Sequence, residues 1–234
     1  MTLNLALRLA TILISLNLQT SFANEIYITS IGDNLDLKIT QEGENNIIAN
    51  SIASHSTITG DRNELLIKQK NTGQTTTGGT IHFDVTGDDN SVELGQGYNG
   101  TGLIGTDTTE SGAKFIELSV LGDNNAVHVG QRNGSLGVYD GHDVNIDING
   151  DNNNVSTEQS LDGKKAVSID LYGNGHSVTT NQQGVGTHTS AIDLTNGGGA
   201  YTMSVTQNST TAQSYTLQGT CYVAQGCGVS VTQN

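Results

Sequence analysis

Glutamine side chains recur along the chain at intervals of 23 to 35 residues, each at the end of a segment of alternating apolar and polar residues. A side-chain amide carries both hydrogen-bond donors and an acceptor. Amides stacked one above another can therefore bond in a continuous row, which we term the glutamine ladder. Its members are Gln41, Gln69, Gln96, Gln131, Gln159, Gln182, Gln207 and Gln233.

A glycine lies nine residues before the glutamine in seven of the eight repeats, and an asparagine follows that glycine by three residues in four of them. Gly and Asn accept a positive φ at low cost, so this spacing predicts a tight turn. We also expect the asparagine side chains to stack and hydrogen bond like the glutamines. The turn glycines are Gly32, Gly60, Gly87, Gly122, Gly150, Gly173 and Gly198, and the asparagines are Asn63, Asn90, Asn125 and Asn153.

An acidic residue directly follows the turn glycine in five repeats. We interpret these residues as solvated turn positions that hydrogen bond locally, with a calcium site as the alternative. The G-G-x-G-x-D repeat of calcium-binding solenoids is absent, which weighs against a calcium site. Carboxylates stacked ~5 Å apart would repel one another and slow assembly. The residues are Asp33, Asp61, Asp88, Asp123 and Asp151.

Cys221 and Cys227 are the only cysteines, and both lie in the last repeat, where the Gly-Asp-x-Asn turn is missing. In an oxidising compartment we expect a disulfide between them that replaces this turn. A zinc or redox pair is the alternative, but C-x-x-C spacing and nearby histidines are lacking.

Other motif-like patterns do not indicate catalysis. The segment from Gly95 to Gly100 fits G-x-G-x-x-G only formally, because Gln96 belongs to the ladder and no helical pattern follows. The six histidines, among them His82, His128 and His176, share no ligand spacing and fall at solvent-facing or turn positions. No G-x-S-x-G motif occurs. We therefore predict no enzyme, no metal site and no cofactor.

Strands must position the amides. Apolar residues occupy every second position before the turn, as in Ile116, Leu118 and Val120, and the alternation resumes after it. Period two on both sides predicts strand, turn and strand in each repeat. Recurrence at this period indicates a solenoid, because one repeat cannot bury enough apolar surface to fold alone. We predict an all-β fold, a single-domain β-solenoid of about eight parallel stacked two-strand layers over residues 24 to 234.

The first 23 residues have the pattern of a secretory signal peptide. Arg8 precedes the apolar run LATILISLNL at 9 to 18, which is too short to span a bilayer, and small residues stand at Ser21 and Ala23. We expect residues 1 to 23 to be removed and the remaining chain to be secreted, through the periplasm, to the cell exterior.

The composition disfavours two classes of binding partner. The net charge is −14 and the chain holds only nine Lys and Arg, which disfavours nucleic acid and anionic lipid surfaces. No second apolar run is long enough to cross a membrane. Proline is absent, as expected where each strand donates to its neighbours.

The repeats resemble the curlin repeat, the building block of bacterial curli-type amyloid fibres. That family has a strand, then Gly-x-x-Asn, then a strand with Gln six residues after the Asn. Four repeats match this spacing, and the resemblance covers residues 26 to 234. Curlin repeats usually carry another inward Gln on the first strand, where this chain has Val85, Val120, Ile148 or Leu171. The matching turns start at Gly60, Gly87, Gly122 and Gly150.

The resemblance implies a secreted structural subunit that self-assembles outside the cell into cross-β fibres for biofilm matrix and surface adhesion. It also implies a nucleator subunit and an outer-membrane export channel as partners. The chain ends on a ladder residue in VSVTQN at 229 to 234, so we expect copies to add head to tail into a homopolymer. The alternative is a monomeric secreted β-solenoid that serves as an adhesin or binds or acts on carbohydrate. Three Phe, seven Tyr and no Trp weigh against a sugar-stacking groove.

Overall fold

A computed structural model describes residues 12–16, 25–43, 47–48, 56–71, 79–96, 115–132, 141–161, 163–194 and 199–234. These residues form strands and turns and include no helix. It follows that they contain no helix long and apolar enough to cross a membrane. The strands are parallel and stack into a β-solenoid with two sheets, so the predicted fold class is confirmed.

The strands, numbered in chain order, belong to two ten-stranded sheets. Sheet A contains β1 (Ile12–Leu16), β4 (Asp36–Gly43), β7 (Glu64–Leu66), β8 (Gln69–Asn71), β10 (Ser91–Val92), β12 (Ala126–Arg132), β14 (Asn154–Ser160), β16 (Ser177–Gln183), β18 (Tyr201–Asn208) and β20 (Cys227–Gln233). Sheet B contains β2 (Glu25–Ile26), β3 (Ile28–Ile31), β5 (Ile47–Ile48), β6 (Ser56–Thr59), β9 (Thr80–Thr86), β11 (Phe115–Leu121), β13 (His142–Ile146), β15 (Lys165–Ser168), β17 (His188–Asp193) and β19 (Gln213–Gln218).

Each strand pairs in parallel with the equivalent strands of the preceding and following repeats. In sheet B, β11 lies between β9 and β13, and in sheet A, β14 lies between β12 and β16. The register keeps equivalent residues opposite each other, as for Gln131, Gln159 and Gln182. Parallel strands lie ~4.8 Å apart, so every side chain faces its own counterpart in the next layer.

One hydrophobic core runs between the two sheets along the whole stack. The apolar side chains of the predicted alternation face inward as expected: Ile116, Leu118 and Val120 are each at most 1% exposed. The tight turn after each sheet B strand reverses the chain into a sheet A strand, so each layer is a flat arch with an apolar interior. This arch places the ladder glutamine at the end opposite the turn.

Strand β1 lies within the segment predicted to be a signal peptide. It pairs in parallel with β4, with Ile12 opposite Leu37 and Leu16 opposite Gln41. The removal of residues 1 to 23 stays a prediction. It would uncover the edge of β4.

Candidate self-assembly site

The glutamine ladder runs along the interior of the stack. Its members from Gln41 to Gln207 are at most 3% exposed. Amide nitrogen donates to amide oxygen between consecutive layers, at 2.9 Å from Gln159 to Gln182 and 2.8 Å from Gln182 to Gln207. Gln207 continues the row by donating to Gln233 at 2.8 Å. The structure therefore places all eight predicted glutamines in one column.

Every ladder amide except that of Gln41 also bonds a carbonyl across its own layer. Gln96 Nε2 donates to the Thr80 carbonyl at 2.9 Å, and Gln159 Nε2 donates to the Asp143 carbonyl at 2.8 Å. These bonds join the end of the sheet A segment to the start of the sheet B strand and close the arch opposite the turn. Sequence reasoning missed this role. The signal was the constant separation of 16 residues between donor and acceptor in four layers.

The ladder changes polarity between its third and fourth members. Gln69 and Gln96 donate toward the N-terminal end of the stack, whereas Gln131 and the following glutamines donate toward the C-terminal end. In consequence Oε1 of Gln96 and Oε1 of Gln131 are buried without a hydrogen-bond partner among the described residues. Nε2 of Gln41, at the N-terminal end, also has none.

The asparagines form a second interior row beside the turn. The backbone N–H of Asn90 donates to Asn63 Oδ1 at 3.0 Å, and that of Asn125 donates to Asn90 Oδ1 at 2.9 Å. Asn63 Nδ2 in turn donates to the Gly87 carbonyl of the next layer at 2.8 Å. Asn153 continues the row and is 1% exposed. The side chains of Asn63, Asn90 and Asn153 therefore each satisfy one N–H and one carbonyl of the turn backbone in the following layer.

The expectation that asparagine supplies the positive φ of the turn was wrong. The positive φ falls one residue earlier, at Arg62 (57°), Asp89 (57°), Asn124 (57°) and Asn152 (58°). The asparagine itself has to direct its amide inward, where it bonds the backbone of the following layer, and this fixes its own backbone conformation. The residue before it faces solvent, which is why Arg and Asp are accepted there.

The turn glycines allow layers to approach. Gly87 has a φ of 127° and Gly122 a φ of 136°, a region that side chains disfavour. A Cβ on Gly87 would overlap the Gly122 carbonyl oxygen, and the same overlap with the next glycine carbonyl arises at Gly32, Gly60, Gly122 and Gly150. Gly173 supplies the carbonyl that accepts from Asn153 Nδ2 at 2.7 Å. Gly198 lies outside the described residues.

The acidic turn residues bond between layers and not within their own turn, contrary to expectation. The Asp88 carboxylate accepts the backbone N–H of Asp61 at 2.7 Å, and the Asp123 carboxylate accepts that of Asp88 at 2.7 Å. Asp61 and Asp151 act in the same way toward the layers before them. The carboxylates of Asp61, Asp88, Asp123 and Asp151 thus each accept a backbone N–H. Within the described ranges no group of three or more His, Cys, Asp or Glu could hold a metal ion.

His176 takes the place of asparagine at the turn of the next layer, and its side chain is 1% exposed, so it lies at a turn position but does not face solvent. Its backbone N–H donates to Asn153 Oδ1 at 2.9 Å, and its Nδ1 accepts the backbone N–H of Tyr201 at 3.0 Å. The ring stacks on Tyr201 with a centroid distance of 6.0 Å. Burial lowers the pKa of His176 below its ordinary value.

A column of basic residues at the start of the sheet B strands is also buried. His142, Lys165 and His188 pair in register and are each 0% exposed. Lys165 Nζ donates to the carbonyls of Gly163 at 2.7 Å and Gly186 at 2.9 Å. The pKa of His188 is lowered, mainly by burial. No sequence pattern indicated this column, because it depends on where the connecting segments fold back.

We expect the folded state to lose stability as the pH falls below about 6.5, the ordinary pKa of histidine. Because the pKa values of His176 and His188 are lowered in the fold, the unfolded chain binds protons first, and stability decreases as acid is added. The pKa of Asp170 is raised by burial and by Asp147 and Asp193, which acts in the opposite direction. The measurement is the urea midpoint between pH 8 and pH 5.

His176→Asn is the matched variant for this prediction. It restores the residue found in four other layers and removes one histidine, so its urea midpoint should fall less steeply with acid than that of the parent chain. Asp170 is unchanged in both proteins, so its contribution cancels in the comparison. Identical slopes for the two proteins would contradict the role assigned to His176.

The two cysteines are joined in the last layer. The Cys221–Cys227 disulfide has a Cα–Cα distance of 5.8 Å, and Cys227 lies opposite Tyr201, in the column that asparagine occupies elsewhere. The disulfide therefore lies where the regular turn is missing.

We expect the double variant Cys221→Ser, Cys227→Ser to weaken the last layer by about 2 kcal/mol, because the bond closes a short loop in the unfolded chain. Hydrogen exchange should report the loss in β20 and leave β14 protected. Equal loss of protection in both strands would contradict a local role.

The C-terminal end of the stack is uncovered. In the last layer the inward residues Val229 and Val231 are half-buried, whereas Met203 and Val205, directly opposite them in β18, are 2% and 0% exposed. Tyr215 and Leu217 of β19 are likewise only partly buried. Among the described strands, β20 pairs only with β18, and β19 only with β17. Within the part of the chain that the structure describes, no strand is stacked on this end, and its core residues are only partly covered.

The outward faces carry many charged residues. In the turn region Arg62 makes a bidentate ion pair with Asp89 of the next layer, with both contacts at 2.6 Å, and this pair lowers the pKa of Asp89. Asp147, Asp170 and Asp193 stand in neighbouring layers on the outer side of sheet B. No family model, characterised protein or solved structure matches the chain, so its function has to be inferred from its own geometry.

Proposed function

We propose that this chain is a structural subunit that assembles end to end into extracellular cross-β fibres. One observation carries the proposal: the last layer exposes half-buried core residues of the same types and spacing that fill the interior. Val229, Val231 and Gln233 repeat the apolar, apolar, Gln order found inside the stack. A further layer would bury them as every interior layer is buried.

Once residues 1 to 23 are removed, the N-terminal layer offers a matching surface. Its sheet A strand carries Leu37, Ile39 and Gln41 in the same order, and its sheet B strands carry the partly buried Ile26 and Ile28. Joining one end to the other end of a second copy is a heterologous contact that does not close on itself, so it generates a filament. The unpaired strand edges favour the same outcome.

Several features support an extracellular role. The predicted signal peptide directs the chain out of the cytoplasm, and the disulfide suits an oxidising compartment. The resemblance to curlin repeats adds biofilm matrix and surface adhesion as the purpose of the fibres, with a nucleator subunit and an export channel as partners. The same resemblance gives the fibres their proposed amyloid character.

The proposal is tested with purified residues 24 to 234, observed by thioflavin fluorescence and electron microscopy. We expect fibres whose diffraction shows a reflection near 4.7 Å along the fibre axis, the distance between stacked strands. A chain that stays monomeric for days at high concentration would refute the proposal and favour the monomeric adhesin or carbohydrate-binding alternative.

Two variants of one strand provide the control. Val231→Asp puts a charge on the inward side of the uncovered layer, where stacking would bury it, so we expect fibre growth to be lost. Thr232→Asp puts the same charge on the outward side, and growth should continue. Equal growth of the two variants would mean that this end does not form the junction.

A further inference from the structure

We infer that the edge of β4 is a docking site for one parallel strand, filled in the precursor by residues 12–16 of the same chain and in the fibre by β20 of a second copy. This inference rests on the proposed function. It adds that residues 12–16 block assembly until the predicted signal peptide, residues 1 to 23, is removed. It also specifies the register of the junction between copies.

Burial shows that the two ends of sheet A differ. At the N-terminal end Leu37 and Ile39 are each 5% exposed, whereas at the C-terminal end Val229 and Val231 are only partly buried. Strand β1 is the additional strand on the N-terminal side, whereas no described strand pairs with the outer edge of β20. A strand docked on β4 therefore converts an open end into a buried layer.

The register of β1 matches the register that β20 would adopt. Strand β1 places Ile12 opposite Leu37 and Ile14 opposite Ile39. Within the chain the equivalent columns end at Val229 and Val231, which lie opposite Met203 and Val205. A second copy that continues these columns places Val229 and Val231 at the positions of Ile12 and Ile14. Both segments thus supply an apolar residue at each of these two positions.

The two strands differ at the ladder position. Leu16 of β1 lies opposite Gln41, whose Nε2 is buried without a partner among the described residues. In the proposed junction Gln233 replaces Leu16 and brings an amide to this position. A buried polar atom without a partner is destabilising, so the exchange favours β20.

The reversed polarity of the ladder fits this exchange. A 180° rotation of the side-chain amides of Gln41, Gln69 and Gln96 would exchange the positions of Oε1 and Nε2 in each. Gln131 Oε1 would then face Nε2 of Gln96 instead of its Oε1, and Gln41 Oε1 would face the junction. Gln233 Nε2, which donates to the Ser214 carbonyl at 3.2 Å, retains a second N–H for that oxygen. A continuous ladder through the junction would satisfy the three buried atoms of the glutamine ladder that lack partners among the described residues, Gln41 Nε2, Gln96 Oε1 and Gln131 Oε1.

The turn column is complementary as well. The asparagine row spans the interior layers only, and the corresponding position is Leu35 in the first layer and Cys227 in the last. Leu35 is partly buried against the core. In the proposed junction it packs on the Cys221–Cys227 disulfide, so an apolar contact replaces the amide contacts of the interior.

The first experiment tests whether residues 12–16 block assembly. It uses the full chain with residues 18 to 23 replaced by a protease site. We expect the uncut chain to elongate at least tenfold more slowly than the cut chain. A peptide of residues 9 to 18, added in excess to the cut chain, should slow growth, and a scrambled peptide should not. Equal elongation before and after cutting would overturn the inference while leaving the proposed function intact.

The second experiment tests the register. A Lys38→Cys chain is mixed, after cutting, with a Ser230→Cys chain, because continuation of the columns puts these outward residues opposite each other at ~4.8 Å, within disulfide range. We expect cross-linked dimers on a non-reducing gel at least tenfold above those from Lys38→Cys mixed with Thr232→Cys. Comparable yields would overturn the register. Absence of fibres from both cut and uncut chains would refute the proposed function and this inference together.

Discussion

Gly87→Ala is expected to destabilise the fold by about 3–5 kcal/mol, one of the largest effects available from a single methyl group. Gly87 has a φ of 127°, and its Cβ would overlap the Gly122 carbonyl oxygen of the next layer. Left-handed backbone alone costs a side chain about 1–2 kcal/mol. The overlap adds to this, because separating two layers at the turn also stretches the hydrogen bonds from Asp88 to Asp123 and from Asn90 to Gly122.

The matched control is Gly228→Ala in β20, where a Cβ meets nothing within 4 Å. It should change stability by no more than about 0.5 kcal/mol. Urea unfolding of freshly purified, fibre-free protein gives both values. Equal effects at Gly87 and Gly228 would show that the close approach of glycine carbonyls does not limit the layer spacing.

Gln159→Leu is expected to cost about 3–6 kcal/mol, although it replaces a polar residue in an apolar interior with an apolar one of similar size. Gln159 is 0% exposed and takes part in three hydrogen bonds: it donates to Gln182 and to the Asp143 carbonyl, and it accepts from Gln131. The leucine leaves these partners buried and unpaired, at about 1–3 kcal/mol each. The apolar gain is smaller than this sum.

The exposed Gln225→Leu provides the control, because it makes the same chemical change at the surface. Its stability should stay within about 0.5 kcal/mol of the parent chain. A variant in which all the interior glutamines were replaced together could behave differently, since removing both partners of a hydrogen bond can be nearly neutral. A Gln159→Leu chain as stable as the parent would mean that the ladder does not contribute to stability.

Both substitutions bear on how such a chain can assemble. In a solenoid each layer contacts only its neighbours, so stability depends on layer interfaces and terminal layers are the weakest. The bonds disrupted by Gly87→Ala and Gln159→Leu are interior copies of the contacts proposed at the junction between subunits. A fibre would therefore extend an interaction that already holds the monomer together.

The sequence by itself determined the strand pairs, the inward face and the column of glutamines. Alternation with period two specifies which side chains face inward, and equal spacing around each turn brings equivalent residues into one column when the layers stack. Ile116, Leu118 and Val120 are buried for this reason. Because the repeats are alike, the sequence indicates which residues lie above one another in the stack.

Only the tertiary structure decided which partner each polar group has. The glutamine amide bonds a carbonyl at the start of its own layer, the asparagine side chain bonds backbone in the following layer, and the Asp88 carboxylate accepts from Asp61. The buried positions of His176 and Lys165 and the docking of β1 on β4 also had no signature in the pattern. Periodicity specifies the direction of a side chain, but a hydrogen bond depends on the positions of two groups that are far apart in the chain and meet only when the layers are stacked.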